Sequence, residues 1–393
     1  MDIAYTAEED AFRAEVRAWL GEVLPALPPA PPPHDWPARR VFDTTWQRTL
    51  YDAGYGGLDW PAEYGGRGAS PVQQLILLEE TERARAPYGV ANYVGLKHAG
   101  PTIAAEGTPA QKERHLGPIL RGDEVWCQGF SEPGAGSDLA SLRTRAVRDG
   151  DDYVLTGQKI WTSHSLVADF CEILVRTDPD APKHKGLTWL IMPMDAPGVR
   201  LRPLRTIMGS TDFAEMFLDG VRVPVANRVG AENDGWRVAM VTLSFERGTA
   251  FTGELVNSMV LVEELARLAR KLTRRSGTAW NDAGLRREIG HLAAGYDALW
   301  ALTLRNVSEA AAGSVPGVGA TVFKLRLTEL RTTLLELFAR LLGRAGLTMS
   351  DLDDLGNGYY VEERLRALSL TIAGGTSNIQ RNIIAERLLG LPK

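Results

Sequence analysis

Four stretches of this 393-residue sequence hold side chains whose types and spacing could do chemistry. In VAMVTLSFERGTAFTGE, from Val238 to Glu254, helical spacing puts Ala239, Thr242, Leu243, Glu246, Thr249, Ala250 and Gly253 on one face. Apart from Leu243, every neighbour of Glu246 on that face is small. A carboxylate aimed into the apolar space such a face leaves is a stronger base than one in water and can act near neutrality. The alternative is a solvated Glu246 paired with Arg247 or a neighbouring helix.

The second stretch, WCQGFSEPGAGSDLAS (Trp126 to Ser141), sets hydroxyls at Ser131, Ser137 and Ser141 among Gly, Ala and Pro. Small residues let the backbone approach a flat or phosphate-bearing ligand, although a tight loop closing a β-domain reads the same way. The third, GQKIWTSHS (Gly157 to Ser165), ends an amphipathic strand on Trp161, Thr162 and Ser163. The indole can wall a planar ring and a hydroxyl can donate to a ring nitrogen; a core Trp is the alternative. The fourth, IAGGTSNIQRNIIAERLLGLP (Ile372 to Pro392), places two glycines before a Thr and a helical run. That is a helix entrance where a ligand could come close to the backbone, but no acid or base stands beside the glycines.

The elements that must position these groups follow from periodicity. Residues 1–122 read as a helical domain, with capping boxes at Thr6–Glu9 and Thr108–Gln111. Between them Leu24–Pro37 is rich in proline and reads as an extended connection. Residues 123–232 give short β-rich runs separated by Gly, Asp, Asn and Pro, which suggest an antiparallel sandwich or barrel. Residues 233–393 return to helical period as four or five long helices, a helical bundle, with breaks near 276–284, 313–319 and 347–357. The whole is an α+β multidomain chain.

Composition excludes several classes. A net charge of −5 argues against a general electrostatic grip on nucleic acid or an anionic membrane. No long apolar run predicts a membrane span, and the N-terminus has neither the basic stretch nor the apolar core of a targeting peptide. Cys127 and Cys171 are far apart in sequence and read as reduced thiols of a cytoplasmic protein; with no clustered histidines, no metal site is expected.

Taken in order, SEPGAGSD, GQKIWTS some 20 residues later, and GGTSNIQRNIIAERLLGLP resemble the acyl-CoA dehydrogenase family over nearly the whole chain, from GLDWPAEYGGRG onward. The resemblance implies an N-terminal helical domain, a middle β-barrel and a C-terminal four-helix bundle. It implies FAD as cofactor and α,β-dehydrogenation of an acyl-CoA thioester to the trans-2-enoyl-CoA, with hydride leaving to flavin N5. By this resemblance Gln128, Phe130 and Ser131 lie against the flavin's pyrimidine side. Trp161 and Ser163 line the other side of the ring, and Thr376 and Asn378 contact the dinucleotide. Ser137 faces the CoA portion of the substrate.

Many family members carry their base in a Tyr-Glu-Gly-Thr segment. Here the equivalent residues are Ala373, Gly374, Gly375 and Thr376, so Gly374 occupies the base position and its N–H is the expected donor to the thioester oxygen. A minority branch places the Glu on the first long helix of the C-terminal domain, directly before an Arg, and Glu246-Arg247 matches it. Glu246 is therefore the expected base, with Arg247 on the substrate's side.

Two segments depart from the family pattern. RRSGTAWNDAGLRR offers only Arg275 as a counterpart of the FAD-binding Arg, and RLLGRAG has Arg340 where Gln is expected. The resemblance implies a homotetramer or an α2β2 tetramer, reoxidised by an electron-transfer flavoprotein. Alternatives are a base-less structural subunit that completes a partner's FAD site, and a flavin desaturase or oxidase acting on a carrier-protein-bound acyl group.

Overall fold

A computed structural model describes residues 5–32, 34–58, 60–245, 251–275, 277–311, 319–352 and 355–392. Among the described residues, five α-helices come first: α1 (Ala7–Val23), α2 (Trp36–Asp52), α3 (Pro71–Arg83), α4 (Gly100–Glu106) and α5 (Pro109–Arg121). The expected capping boxes open α1 and α5, and a third, Ser70 with Gln73, opens α3. The proline-rich run is not wholly an extended connection, because α2 takes its last two residues. Asp35 caps the Ala38 N–H at 3.2 Å and Pro37 sits in the first turn, where its missing N–H forfeits no helical bond.

Eight strands follow: β1 (Trp126–Gly129), β2 (Arg145–Asp149), β3 (Asp152–Ser163), β4 (Phe170–Arg176), β5 (Leu187–Pro193), β6 (Val199–Leu204), β7 (Phe213–Pro224) and β8 (Arg228–Val229). They pair in the order β6-β7-β3-β2-β4-β5-β8, with β1 on β4. Most pairings are antiparallel, as expected for the middle domain, while β1 and β2 each meet β4 in parallel. Every residue of β5 from Leu187 to Met192 is buried, which explains its continuous apolar run. Cys127 and Cys171, remote in sequence, are register partners on β1 and β4; both are buried free thiols. Burial and the neighbouring Cys127 thiol push the Cys171 thiol well up, away from a reactive thiolate.

The chain then forms α6 (Gly235–Phe245), α7 (Thr252–Lys271), the β9–β10 ribbon (Thr273–Arg274, Gly277–Thr278), α8 (Ala283–Ala311), α9 (Gly319–Leu342), α10 (Asn357–Leu370) and α11 (Ser377–Ile383). α7 to α10 form the expected bundle around Leu265, Tyr296, Leu334, Phe338 and Ala367. Among the described residues no helix is long and apolar enough to cross a membrane, and no group of His, Cys, Asp or Glu could hold a metal.

Two compact units cut across this order: Ala26–Ala69 with Pro87–Glu246, and Met1–Pro25 with Ser70–Ala86 and Arg247–Lys393. Within the second, Arg13 and Arg17 of α1 bind Glu79 and Glu80 of α3 at 2.6 and 2.8 Å. Deeper in the same unit Arg331 of α9 is 1% exposed and pairs with Glu363, with Glu254 at 3.1 Å and with the Ser258 hydroxyl at 2.7 Å. Glu82 of α3 faces this cluster. Burial, then the Glu254 charge, pushes its carboxyl up to about 7 against the partial relief of Arg331.

A raised carboxyl favours the folded state fully below the unfolded value of 4.5, and that contribution is lost as pH climbs through about 7. Glu82→Gln is therefore expected to equal the native protein in stability near pH 4.5 and exceed it by about 3 kcal/mol at pH 8. Denaturant unfolding at the two pH values checks this; a variant no more stable at pH 8 contradicts it.

Candidate active site

In the first unit, SEPGAGSD and GQKIWTS are joined by one buried ion pair. Lys159 on β3 is wholly buried, with its Nζ 2.9 Å from Glu132 Oε1 and 3.0 Å from the Phe130 carbonyl. Glu132 also accepts from the N–H groups of Arg143 (2.7 Å) and Thr144 (2.8 Å). Burial alone would raise the Glu132 carboxyl; the Lys159 charge and those N–H groups overcome it and hold it below the usual carboxylate range. The same burial pushes the Lys159 ammonium down, opposed by Glu132. Sequence reasoning missed both residues. A signal for them exists, since Lys159 shares the inward parity of Tyr153 and Leu155 on β3 and needs a buried counter-charge.

This pair fixes the loop bearing the serines. Glu132 and Ala135 close a tight turn, with Gly134 and Gly136 opening on empty space where a Cβ would sit. Ser131 is half-buried, its carbonyl accepting from the Ile160 N–H at 2.9 Å, and Ser137 is exposed. The Phe130 side chain is packed in the core at 3% exposure.

Trp161 is the anomaly of β3. Pairing with β7 slips between Lys159 and Thr162, and there Trp161 adopts φ +60° and stands 58% exposed, edge-on to Phe213 at 5.8 Å. A left-handed bulky residue costs about 1–2 kcal/mol, and so large an exposed indole gains nothing from folding. Both are explained if a flat ligand covers the ring. Ser163, two residues on, is half-buried, whereas Thr162 points into the core and bonds the Ala214 carbonyl at 2.8 Å. Beyond it, His164 also has positive φ; burial pushes its imidazole down to about 4, so it is neutral at working pH. Trp161→Ala is expected to change the stability of the FAD-free chain by less than roughly 0.5 kcal/mol. It is expected to weaken FAD binding about three- to tenfold, the value of one aromatic contact. Thermal melts and fluorescence titration with FAD measure the two effects separately.

Gln128 on β1 belongs to a polar group that sequence reasoning missed. Its Nε2 lies 2.7 Å from Glu172 Oε1 on β4 and 3.2 Å from His98 Nδ1. His98 sits in a π-helical turn, Gly95–Ala99, that leads into α4. Glu172 and His98 are 0% and 4% exposed. No local sequence signal marks either partner.

In the second unit, Gly374 and Gly375 have φ of +60° and +89°, a left-handed pair that a residue with a side chain would strain. Their carbonyls are held inside: Gln380 Nε2 donates to Gly374 O at 2.9 Å, and Lys324 Nζ donates to Gly375 O. Thr376 is the N-cap of α11, accepting from the Ile379 N–H at 3.3 Å, and the Asn378 carbonyl oxygen accepts from Arg381. Arg275 is exposed at the turn of the β9–β10 ribbon. Arg340, where the resemblance expects Gln, forms a two-bond pair with Glu288 at 2.7 and 3.0 Å. Glu246 and Arg247, the expected base and its neighbour, lie outside the described residues; α6 is described to Phe245.

These residues fit a flavin dinucleotide. The uncovered left-handed Trp161, the hydroxyl of Ser163 and the open glycine turn are the groups that would hold it, as a wall, a donor and a small-residue cradle. Comparison with known proteins agrees. Residues 6–123, 127–221 and 233–389 match the N-terminal, middle and C-terminal domains of acyl-CoA dehydrogenase. The chain is 41% identical over 389 residues to acyl-CoA dehydrogenase IpdE1 of Mycobacterium tuberculosis, covering 98% of each chain. Among solved structures it is similar to the Tcur3481-Tcur3483 steroid ACAD, at 32% identity, TM-score 0.86 and full coverage of both chains. It is also similar to the ChsE4-ChsE5 complex from Mycobacterium tuberculosis, at 34% identity, TM-score 0.85 and full coverage of both. With all three domains matched in order, this chain belongs to the acyl-CoA dehydrogenase family of FAD-dependent oxidoreductases.

Proposed function

We propose that this chain dehydrogenates the Cα–Cβ bond of an acyl-CoA thioester to the trans-2-enoyl-CoA, with Glu246 as the base. The observation that carries the reading is the left-handed Gly374–Gly375 pair, which has no carboxylate to offer in a chain whose family needs one. Glu246 is the acidic residue whose sequence setting, a small-residue face before an Arg, matches the alternative position.

FAD, when bound, supplies the acceptor for the β-hydrogen. The chain's own residues do the rest. Glu246 takes the α-proton, which is weakly acidic and needs a base in a desolvated setting. The Gly374 N–H donates to the thioester oxygen as charge develops there; its carbonyl is already occupied by Gln380. Trp161, Ser163, Ser131, Gln128 and the main chain of Phe130 hold the isoalloxazine, Thr376 and Asn378 the dinucleotide, and Ser137 and Arg247 the CoA side. Holding the thioester in one pose converts the reaction to an effectively unimolecular one.

The substrate class follows from what the chain lacks. Gly374, standing where many family members carry a glutamate, leaves room for a bulky acyl group, and one relative's name calls it a steroid ACAD. A branched or ring-containing acyl-CoA is therefore the proposed substrate. Two of the solved relatives carry paired names, Tcur3481-Tcur3483 and ChsE4-ChsE5, the second titled a complex. Arg340, engaged with Glu288, does not provide the amide the family uses across a subunit interface. We therefore favour an α2β2 tetramer with a different chain over a homotetramer, an electron-transfer flavoprotein as oxidant, and a cytoplasmic setting.

An anaerobic screen of acyl-CoA thioesters, following flavin bleaching, tests the substrate class. Ring-containing thioesters are expected to bleach the flavin faster than any straight chain from C4 to C16; the reverse order ends the proposal. Absorbance of the chain purified alone and with its partner tests the assembly: a fully yellow homotetramer excludes the heteromeric reading.

A further inference from the structure

Trp161 and His164 bracket a turn that holds backbone strain. Among the described residues four non-glycines have positive φ, and these two, at +60° and +58°, lie within one turn at the end of β3. Strained residues persist where their surroundings over-determine them, and they cluster at ligand sites. The stretch between the two is locked. The Thr162 hydroxyl donates to the Ala214 carbonyl at 2.8 Å and lies 2.9 Å from the Ser165 hydroxyl, which itself reaches the Thr162 carbonyl at 3.1 Å. The His164 N–H donates to the Asp212 carbonyl at 2.8 Å.

These bonds do not account for the residue type at 164. Glycine takes a left-handed φ without strain, so a side chain kept there has a use. Its use is not a hydrogen bond through Nδ1, which is buried with no partner among the described residues. The ring lies instead on the Trp36 indole of α2, with centroids 4.6 Å apart and planes at 44°. Trp36 is 4% exposed, and its Nε1 is likewise buried with no partner among the described residues. Two rings that leave these nitrogens unused are packed as flat bodies. Histidine suits the place because left-handed backbone admits it more readily than a bulkier ring. The same helix grips the far side of the turn. Arg40 donates to the Val167 carbonyl at 2.6 Å and holds Asp169 in a two-bond pair at 3.0 and 2.7 Å. The Val167 N–H donates back to the His164 carbonyl at 3.1 Å.

We infer that His164, wedged against Trp36 of α2, is a positioning residue for the flavin: it holds the left-handed turn that presents the Trp161 indole and the Ser163 hydroxyl. The inference rests on Trp161 and Ser163 being residues that hold the isoalloxazine. With the wedge in place the strain is carried by the FAD-free chain, and the ring meets a wall already formed. Without it the turn relaxes into unstrained conformations, and FAD loses binding energy in restoring it.

FAD titration of the full assembly, stripped of its cofactor, tests this, with thermal melts of the FAD-free protein beside it. His164→Asn removes the ring and keeps a residue that tolerates the left-handed backbone. FAD binding is expected to weaken about tenfold, the combined worth of an indole contact and one hydrogen bond. Fluorescence of the bound flavin should rise as its indole quencher leaves. The FAD-free melting temperature should stay within about 3 °C of native, because relaxation of the turn offsets the lost ring contact. Trp161→Ala, which weakens FAD binding in the native background, should add less than about twofold in His164→Asn, since the wall is already misplaced. Native FAD affinity in His164→Asn overturns the inference. So does an undiminished, additive loss from Trp161→Ala in that background. A larger fall in melting temperature also overturns it, being the mark of a merely structural role. If His164→Asn does not fold, His164→Gly, which is unstrained at that φ, replaces it in the same measurements with the same expectations. Trp161→Ala with native FAD affinity removes the flavin-wall reading itself, whereas a weakened Trp161→Ala beside a native His164→Asn removes only the role of His164.

Discussion

Glu246→Gln is expected to slow anaerobic flavin reduction by an acyl-CoA about 10³- to 10⁴-fold, the usual worth of a general base positioned in the transition state. The amide fills the same volume and cannot take a proton. FAD content and acyl-CoA affinity should therefore stay near native, and the loss should appear in the reduction rate rather than in binding. Rapid-mixing absorbance measures the rate, and titration with a non-oxidisable thioester measures the affinity. The effect is large because nothing at Gly374 can substitute: its left-handed backbone carries no side chain, and the neighbouring side chains Lys324 and Gln380 are engaged on the glycine carbonyls. A second carboxylate within reach would cut the loss to a few-fold.

Lys159→Met should strongly destabilise the sheet domain. It leaves Glu132 buried against a methionine, and breaking such a pair from one side costs about 3–5 kcal/mol. Denaturant unfolding at pH 7 reads the loss. Because Glu132 is held below its ordinary value, its contribution is present above the unfolded pKa and is lost as pH falls through the folded one. The deficit of the variant should therefore shrink in acid. Lys159→Met with Glu132→Gln should recover part of the stability, because no charge is then left unpaired. FAD retention should fall in the single variant, since the pair ties the Ser131 loop to the strand bearing Trp161. A single variant as stable as native contradicts the structural role given to the pair.

The parts legible in the sequence were those governed by neighbours along the chain. The capping boxes at Thr6 and Thr108 are satisfied within three residues, so their grammar is local and the helices start where it says. The same grammar at Ser70 was equally readable. Alternation in β3 and the continuous apolar run of β5 reported a sheet domain. Trp161 stood out by its motif, but its left-handed backbone did not, because that depends on a register slip against β7. What the sequence hid depends on distant partners. Glu79 and Glu80 meet Arg13 and Arg17 from 66 and 63 residues away, so the grouping of α1 and α3 with the C-terminal helices has no local mark. His98, Gln128 and Glu172 are joined across separations of 30 and 44 residues, and each alone is an ordinary residue of its element. Proline at the start of α2 was misleading for the opposite reason: the local rule against proline in helices does not hold in the first turn.

The proton-abstraction claim can be separated from redox chemistry altogether. An acyl-CoA with sulfur in place of Cβ offers an acidic α-hydrogen and no β-hydrogen to lose. Incubated with the holoenzyme in D2O, it should exchange its α-hydrogens for deuterium in the native protein and at a rate near that of buffer alone with Glu246→Gln, followed by mass spectrometry. Undiminished exchange in Glu246→Gln would contradict the account, because the proton would then be leaving to another group.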